Sequence, residues 1–295
     1  MMRVWLTGAN GQIGRLTALA LHGRAALTAT ARRDTDIRDR AAVLRTAAAV
    51  RPHVIINTAA HTDVDAAERR PAAAFAVNAH GAAHLAEAAH AVGATLLHLS
   101  TDYVFDGQKN APYREDDPPN PVNHYGASKL AGEQHIIRHC PRHLILRTAW
   151  VFGGHTRHFV RTILDKARTH GGADIVADRF GAPTFADDLA AVLADLAQRA
   201  AANPDTLPYG TYHYCGAPHT HWHDFARHAC RHALRHGLLS KPPELRPVRA
   251  ADYPTPAPRP PHSRLDCGKI TRTFGIAPSD WQNALARLPD WISRT

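Results

Sequence analysis

Arg3-Val4-Trp5-Leu6-Thr7-Gly8-Ala9-Asn10-Gly11-Gln12-Ile13-Gly14 is a short apolar strand that breaks into three glycines spaced three apart. A helix-favouring stretch, Gln12–His22, follows at once. Glycine's missing Cβ permits a tight turn, close approach of backbone N–H groups to a pyrophosphate, and close packing of helix on strand. The helix N-terminus then offers partial positive charge to the phosphates. Glycine serves any tight strand–helix turn, so the weight lies in the position, strand before and helix after, which a dinucleotide site requires.

Beyond this turn, strand-like and helix-like segments alternate, the pattern of a doubly wound parallel sheet. Strands are expected at Arg3–Thr7, Ala26–Ala31, Val54–Asn57, Thr95–Ser100 and Leu144–Thr148. Helices are expected at Gln12–His22, Arg40–Val50, Ala72–Val92 and Tyr125–His139. The strands are apolar without strict alternation, as when helices cover both faces of a sheet. After Val151 the alternation weakens, and Phe159–His170, Asp187–Ala201, His223–His236 and Trp281–Leu288 read as helices. The expected fold is α/β: a Rossmann-type doubly wound sheet over 1–150, then a smaller, mostly helical substrate region over 151–295. That boundary is soft and leaves room for later elements to return to the sheet.

Composition narrows the class. Of 295 residues, 44% are hydrophobic and 21% charged, ordinary for a soluble globular protein. Apolar runs such as Val54-Ile55-Ile56 are far too short to span a membrane, and no leader pattern precedes the first strand. A cytoplasmic protein is expected. A formal charge of +9 suits an anionic partner, but lysine and arginine form no long basic run, so a phosphate-bearing small ligand is expected rather than nucleic acid. The four cysteines show no Cys-x-x-Cys spacing, which argues against zinc or a redox motif. The 22 histidines, including His219, His221, His223, His228, His232 and His236, reflect composition, since no third ligand is identifiable. No metal site is expected.

Thr28-Ala29-Thr30-Ala31-Arg32-Arg33 ends the second strand with two arginines where an acidic residue would favour NAD. Arg32 and Arg33 suit a 2′-phosphate, hence NADPH, while nearby Asp34 leaves room for NADH. Asp36 and Ile37 are placed to meet the adenine. Tyr125-Gly126-Ala127-Ser128-Lys129 sets a phenol and an ammonium four apart on one helix face. A lysine cation would lower the phenol's pKa from about 10 and make Tyr125 a workable acid. Upstream, Ser100-Thr101-Asp102-Tyr103-Val104-Phe105 puts hydroxyls at a strand's carboxyl end, where such sheets hold ligands. Singly these motifs are common; together and in this order they point to carbonyl reduction.

With these motifs in place, the chain resembles the extended short-chain dehydrogenase/reductases and, within them, the dTDP-4-dehydrorhamnose reductases. The resemblance covers nearly the whole chain. It rests further on Arg51–Asn57, Ala59-Ala60-His61-Thr62-Asp63-Val64-Asp65, Arg147-Thr148-Ala149-Trp150-Val151-Phe152, Asp178-Arg179-Phe180-Gly181-Ala182-Pro183-Thr184, and Tyr253-Pro254-Thr255-Pro256 with Ser263-Arg264-Leu265. It implies NADPH-dependent reduction of the C4 ketone of dTDP-4-dehydro-L-rhamnose, supplying dTDP-L-rhamnose for cell-surface polysaccharide such as lipopolysaccharide O-antigen. Thr101, Tyr125 and Lys129 match the catalytic trio. Gly8, Asn10, Gly11, Gln12, Ile13, Gly14, Asp36, Ile37, Ala59, Ala60, His61, Thr62 and Leu99, with Tyr125 and Lys129, fall at cofactor positions. Thr101, Asp102, Tyr103 and Trp150 would meet the sugar nucleotide. Some members are magnesium-bridged dimers held by acidic side chains, but Arg15 and Leu16 stand where such a carboxylate belongs. A homodimer remains compatible with the resemblance. Among Arg246, Arg249, Arg259 and Arg264, which flank or sit in the proline-rich stretch, one is expected to close over the diphosphate. Another nucleotide-sugar reductase or an epimerase on the same scaffold is the alternative. A non-catalytic NADP-binding regulatory subunit is a weaker one, since it should have lost Tyr125 or Lys129.

Overall fold

The computed structural model describes residues 1–154 and 156–292. Strands β1 (Arg3–Thr7), β2 (Ala26–Thr30), β3 (Val54–Asn57), β4 (Thr95–Thr101) and β5 (His143–Thr148) pair in parallel in the order β2-β1-β3-β4-β5. A sixth strand, Gly210–His213, adds to β5, also in parallel. Along β1, Val4 and Leu6 point to one face and Trp5 to the other, and all three are fully buried. Period-two alternation is therefore present, but both faces are apolar because both are covered. On one side Leu6, Ile56, Leu97 and Leu146 pack on Leu189 and Leu193 of helix Ala186–Ala202. On the other, Trp5, Ile55, Leu96 and Ile145 pack on Val43, Leu85 and Ile136 from helices Arg40–Val50, Ala82–Val92 and His124–His139. Each such side chain contributes about 1.5–3 kcal/mol by leaving water.

Two elements beyond Val151, helix Ala186–Ala202 and strand Gly210–His213, thus belong to the sheet's own layers. The remainder has a separate core of Phe152, Leu164, Phe225, Trp281, Leu285 and Trp291. It also carries two-stranded pieces such as Gly172–Val176 with Glu244–Val248. The expected helix Ala72–Val92 is divided into Pro71–Phe75, a π-helical stretch Ala76–Gly81, and Ala82–Val92. Such bulges often sit at functional sites, and this one presents Asn78. No helix among the described residues is long and apolar enough to cross a membrane.

Candidate active site

β1 has β2 on one side and β3 on the other, so the chain reverses direction across the sheet there, and ligands of such sheets bind outside that crevice. A cleft of about 470 Å³ occupies this position. Gly8, Asn10 and Gly11 line it from the end of β1, Arg32, Arg33, Asp36 and Ile37 from the end of β2, and Ala59, Ala60 and His61 from the end of β3. The glycine turn is a cradle that side chains would fill. A Cβ on Gly14 would lie 2.2 Å from the Gly8 carbonyl oxygen, and Gly8 itself has φ +74° with β3's continuation pressed against it.

Of the other expected cofactor positions, Gln12, Ile13 and Thr62 do not line this cleft, and Asp36 and Ile37, which do, are held by neighbours. Ile13 is half-buried against the core, and the Gln12 amide donates to the Gly153 carbonyl. Thr62 is exposed. Ile37 is mostly buried under Gly81. The carboxylate of Asp36 is held by Arg38, which drives its pKa down to about 2, and also accepts from Arg32 at 3.3 Å. Arg38, which also lines the cleft, has only its proximity to Asp36 as a sequence signal. Asn78 fixes the third rim: its Oδ1 accepts from the His61 N–H (2.8 Å), while its amide donates to the His61 carbonyl and to the Ser128 hydroxyl (3.0 Å each).

One strand over, the end of β4 meets helix His124–His139. Asn123 caps this helix by accepting from the Gly126 N–H at 2.8 Å, and it donates to the Pro258 carbonyl at the same distance. Gly126 lets the helix seat against the turn Asp102–Val104, since a Cβ there would lie 2.1 Å from the Tyr103 carbonyl oxygen. Tyr125 thereby faces Thr101 and Tyr103, with the two tyrosine rings edge to face at 5.8 Å. The Thr101 hydroxyl donates to Asp102 Oδ1 at 3.0 Å and accepts from the Tyr103 N–H at 3.2 Å, and it acts on the Tyr125 phenol by lowering its pKa.

Burial controls the ionisation here. It raises the Tyr125 pKa, against a smaller lowering by the Thr101 hydrogen bond. It lifts Asp102 to about 6, with Ser263 and Thr101 bonds opposing, and Tyr103 to about 12. Lys129 is brought down to about 8 by burial, against the pull of Glu133. The lowering of Tyr125 by Lys129 expected from the sequence is not among the main effects on the phenol, which burial dominates. Lys129 Nζ donates instead to the Leu99 carbonyl at 2.6 Å and lies 3.3 Å from His98 Nε2. Behind it, Glu133 is paired with Arg147 at 2.6 Å, both buried.

Trp150 sits at the end of β5 in the left-handed region, φ 44°, a strained conformation for a bulky residue. Its indole stacks on Trp222 with centroids 3.6 Å apart. Trp222 gave no sequence signal. Of the four arginines around the proline-rich stretch, Arg246 and Arg249 pair with Asp174 and Asp252 on the surface, and Arg264 donates to the Asn110 carbonyl. Arg259 pairs with Asp65 at 2.9 Å, Arg179 donates to the Arg259 carbonyl, and both cations act on Tyr103 by lowering its pKa. The histidine-rich segment is spoken for: His219, His223 and His236 each bond a backbone carbonyl, and His228 lies 3.7 Å from Asp224. Among the described residues no group of three or more His, Cys, Asp or Glu is arranged to hold a metal. All four cysteines are buried and free.

The profile of the RmlD substrate binding domain matches residues 2–293. A dTDP-4-dehydrorhamnose reductase of Aggregatibacter actinomycetemcomitans is 41% identical over 290 residues, 98% of either chain. The crystal structure of a dTDP-4-dehydrorhamnose reductase from Clostridium acetobutylicum superposes with a TM-score of 0.90 at 35% identity, covering 98% of this chain and 99% of that one. The Bacillus anthracis dTDP-4-dehydrorhamnose reductase, solved in complex with NADP, gives 0.88 at 33% identity over 97% of this chain and 98% of its own.

Proposed function

We infer the reaction from one premise: the chain belongs to the dTDP-4-dehydrorhamnose reductase family. It reduces the C4 ketone of dTDP-4-dehydro-L-rhamnose to dTDP-L-rhamnose with NADPH. The observation that carries this reading is the cluster at the end of β4, where Tyr125 faces Thr101 and Tyr103 and Lys129 follows one helix turn on, one strand from a glycine cradle for a dinucleotide.

The residues present fit the cofactor. Backbone N–H groups around Gly8–Gly14 and the first helix's N-terminus would take the pyrophosphate, and the largely exposed Arg32 and Arg33 are free to turn onto a 2′-phosphate. When bound, the nicotinamide supplies a hydride to C4. Tyr125 then gives its phenolic proton to the C4 oxygen. Thr101, whose proton is committed to Asp102, must turn to donate to the same oxygen. Lys129, anchored on Leu99, is placed to hold the ribose and to offset charge as the phenol loses its proton.

Trp150 backed by Trp222 supplies a flat apolar wall suited to a deoxysugar. Arg259, with Arg179, is the pair we assign to the diphosphate, because these two converge on Tyr103. We assign residues 1–150 to the cofactor and 151–295 to the sugar nucleotide, with Thr101, Tyr125 and Trp150 of the first region also meeting the substrate. The substrate and reduced cofactor support a cytoplasmic reading, and a homodimer is compatible with it. Incubation with dTDP-4-dehydro-6-deoxyglucose, its epimerase and NADPH tests the assignment. dTDP-L-rhamnose is the expected product by NMR; a talose-type sugar or no reduction overturns it.

A further inference from the structure

The chemistry above leaves several buried titratable groups unused, and one of them touches Lys129. His98, in β4 beside Leu99, is fully enclosed and held at both ring nitrogens. Asn57 Nδ2 lies 2.9 Å from Nδ1, and Lys129 Nζ lies 3.3 Å from Nε2. The orientation of the Asn57 amide is dictated by its other end. The Ala59 backbone N–H (3.0 Å) and the Thr7 hydroxyl (2.7 Å) both donate to its Oδ1. A backbone N–H can only donate, so the end facing His98 is the NH2 group, and His98 Nδ1 must accept. A neutral imidazole that accepts at Nδ1 carries its proton on Nε2. That proton points at Lys129. An ammonium has no lone pair to receive it; a free amine has one, and still has hydrogens for the Leu99 carbonyl at 2.6 Å.

We propose that His98 is a positioning residue for the reduction: locked by Asn57 with its proton on Nε2, it presents a donor to Lys129 and favours the free amine over the ammonium. This rests on the reading of Lys129 as the partner of Tyr125, but the charge on Lys129 can be measured without turnover, so the two ideas fail separately. The ionisation shifts run the same way, with burial lowering both Lys129, to about 8, and His98, well below its ordinary value. A lysine poised there can change charge when ribose hydroxyls or a phenolate arrive. The other groups around the pair do not supply the same push. Glu133, one turn along the helix, favours the ammonium and is itself engaged by Arg147 from β5 and by Ser100. Asp102, at the end of β4, acts on Tyr125. β1 and β3 contribute the uncharged Thr7 and Asn57.

The chain has five lysines, so carbon-13 at the ε position gives a spectrum simple enough to titrate in the cofactor-free protein. One signal, absent in Lys129→Met, should titrate near 8. His98→Leu removes the donor and should raise that midpoint by about one pH unit. His98→Gln keeps both contacts, its amide oxygen accepting from Asn57 and its NH2 facing Lys129, and should restore the wild-type midpoint. A role in packing alone would not separate Leu from Gln in this way. Nitrogen-15 spectra of the wild type, with His98 assigned by its loss in His98→Gln, should show neutral imidazole protonated at Nε2. An Nδ1–H tautomer, an imidazolium at neutral pH, or an unmoved midpoint in folded His98→Leu overturns the proposal. If His98→Leu does not fold, the tautomer decides. Retained turnover in Lys129→Met with the expected titration would remove the reductase role of the lysine and leave the His98 inference standing.

Discussion

Replacing Asp102 with asparagine should stabilise the protein, relative to wild type, increasingly as the pH rises from 4 to 7. Burial lifts this carboxyl from its ordinary 3.8 to about 6 in the fold, despite bonds from Ser263 and Thr101. Because the folded value is the higher one, the folded state holds the proton more tightly. The associated stability is complete below about pH 3.8 and is lost as the pH rises through 6. A shift of about two units at 1.36 kcal/mol each gives about 3 kcal/mol. Asparagine carries no charge and escapes this loss. Urea unfolding of both proteins at several pH values between 4 and 8 isolates the effect, since every other titrating group cancels in the difference. The gap should change by about 3 kcal/mol in favour of Asp102→Asn and level off above pH 7. A gap that is flat across the range would refute the reasoning and mean that Asp102 is solvated or paired in the native state.

Arg32→Ala with Arg33→Ala should weaken NADPH binding by about tenfold, the scale of a lost charge-assisted hydrogen bond, and leave NADH nearly unchanged. Equal losses in calorimetry for the two cofactors would remove these arginines from the 2′-phosphate. Gly126→Ala should destabilise by about 1–3 kcal/mol through overpacking against the Tyr103 carbonyl, although alanine gains about 1 kcal/mol over glycine in a helix. Stabilisation on urea unfolding would show that the turn at Asp102–Val104 yields. Turnover should survive exhaustive chelation, and a magnesium-reversible loss would reveal a metal requirement.

The sheet was legible because its strands are apolar on both faces and its helices are bounded by glycine and polar residues. β1, β3 and helix Arg40–Val50 match the expected limits to the residue. Long-range pairing was not legible: nothing local in Gly210–His213 says that it will extend β5. The π-helical stretch at Ala76–Gly81 was also hidden, since its alanines favour an ordinary helix and the reason for the break, Asn78 bridging His61 and Ser128, is tertiary. At the site, motif order placed Thr101, Tyr125 and Lys129 within one cluster. The sign of the Tyr125 shift was missed because burial depth is a property of the fold. The contacts of Arg179, Trp222 and His98 were not legible because they join distant segments, and an isolated Trp or His carries no spacing signature.

The most direct test of the account is single-turnover reduction of dTDP-4-dehydro-L-rhamnose by Tyr125→Phe, beside wild type, with NADPH and sugar-nucleotide binding measured on the same samples. The substitution removes only the phenolic hydroxyl beside Thr101, so both ligands should still bind. The rate should fall by a factor on the order of 100 to 10,000, the usual contribution of a general acid. Near-normal reduction by a folded, ligand-binding Tyr125→Phe would contradict the assignment of the proton to Tyr125.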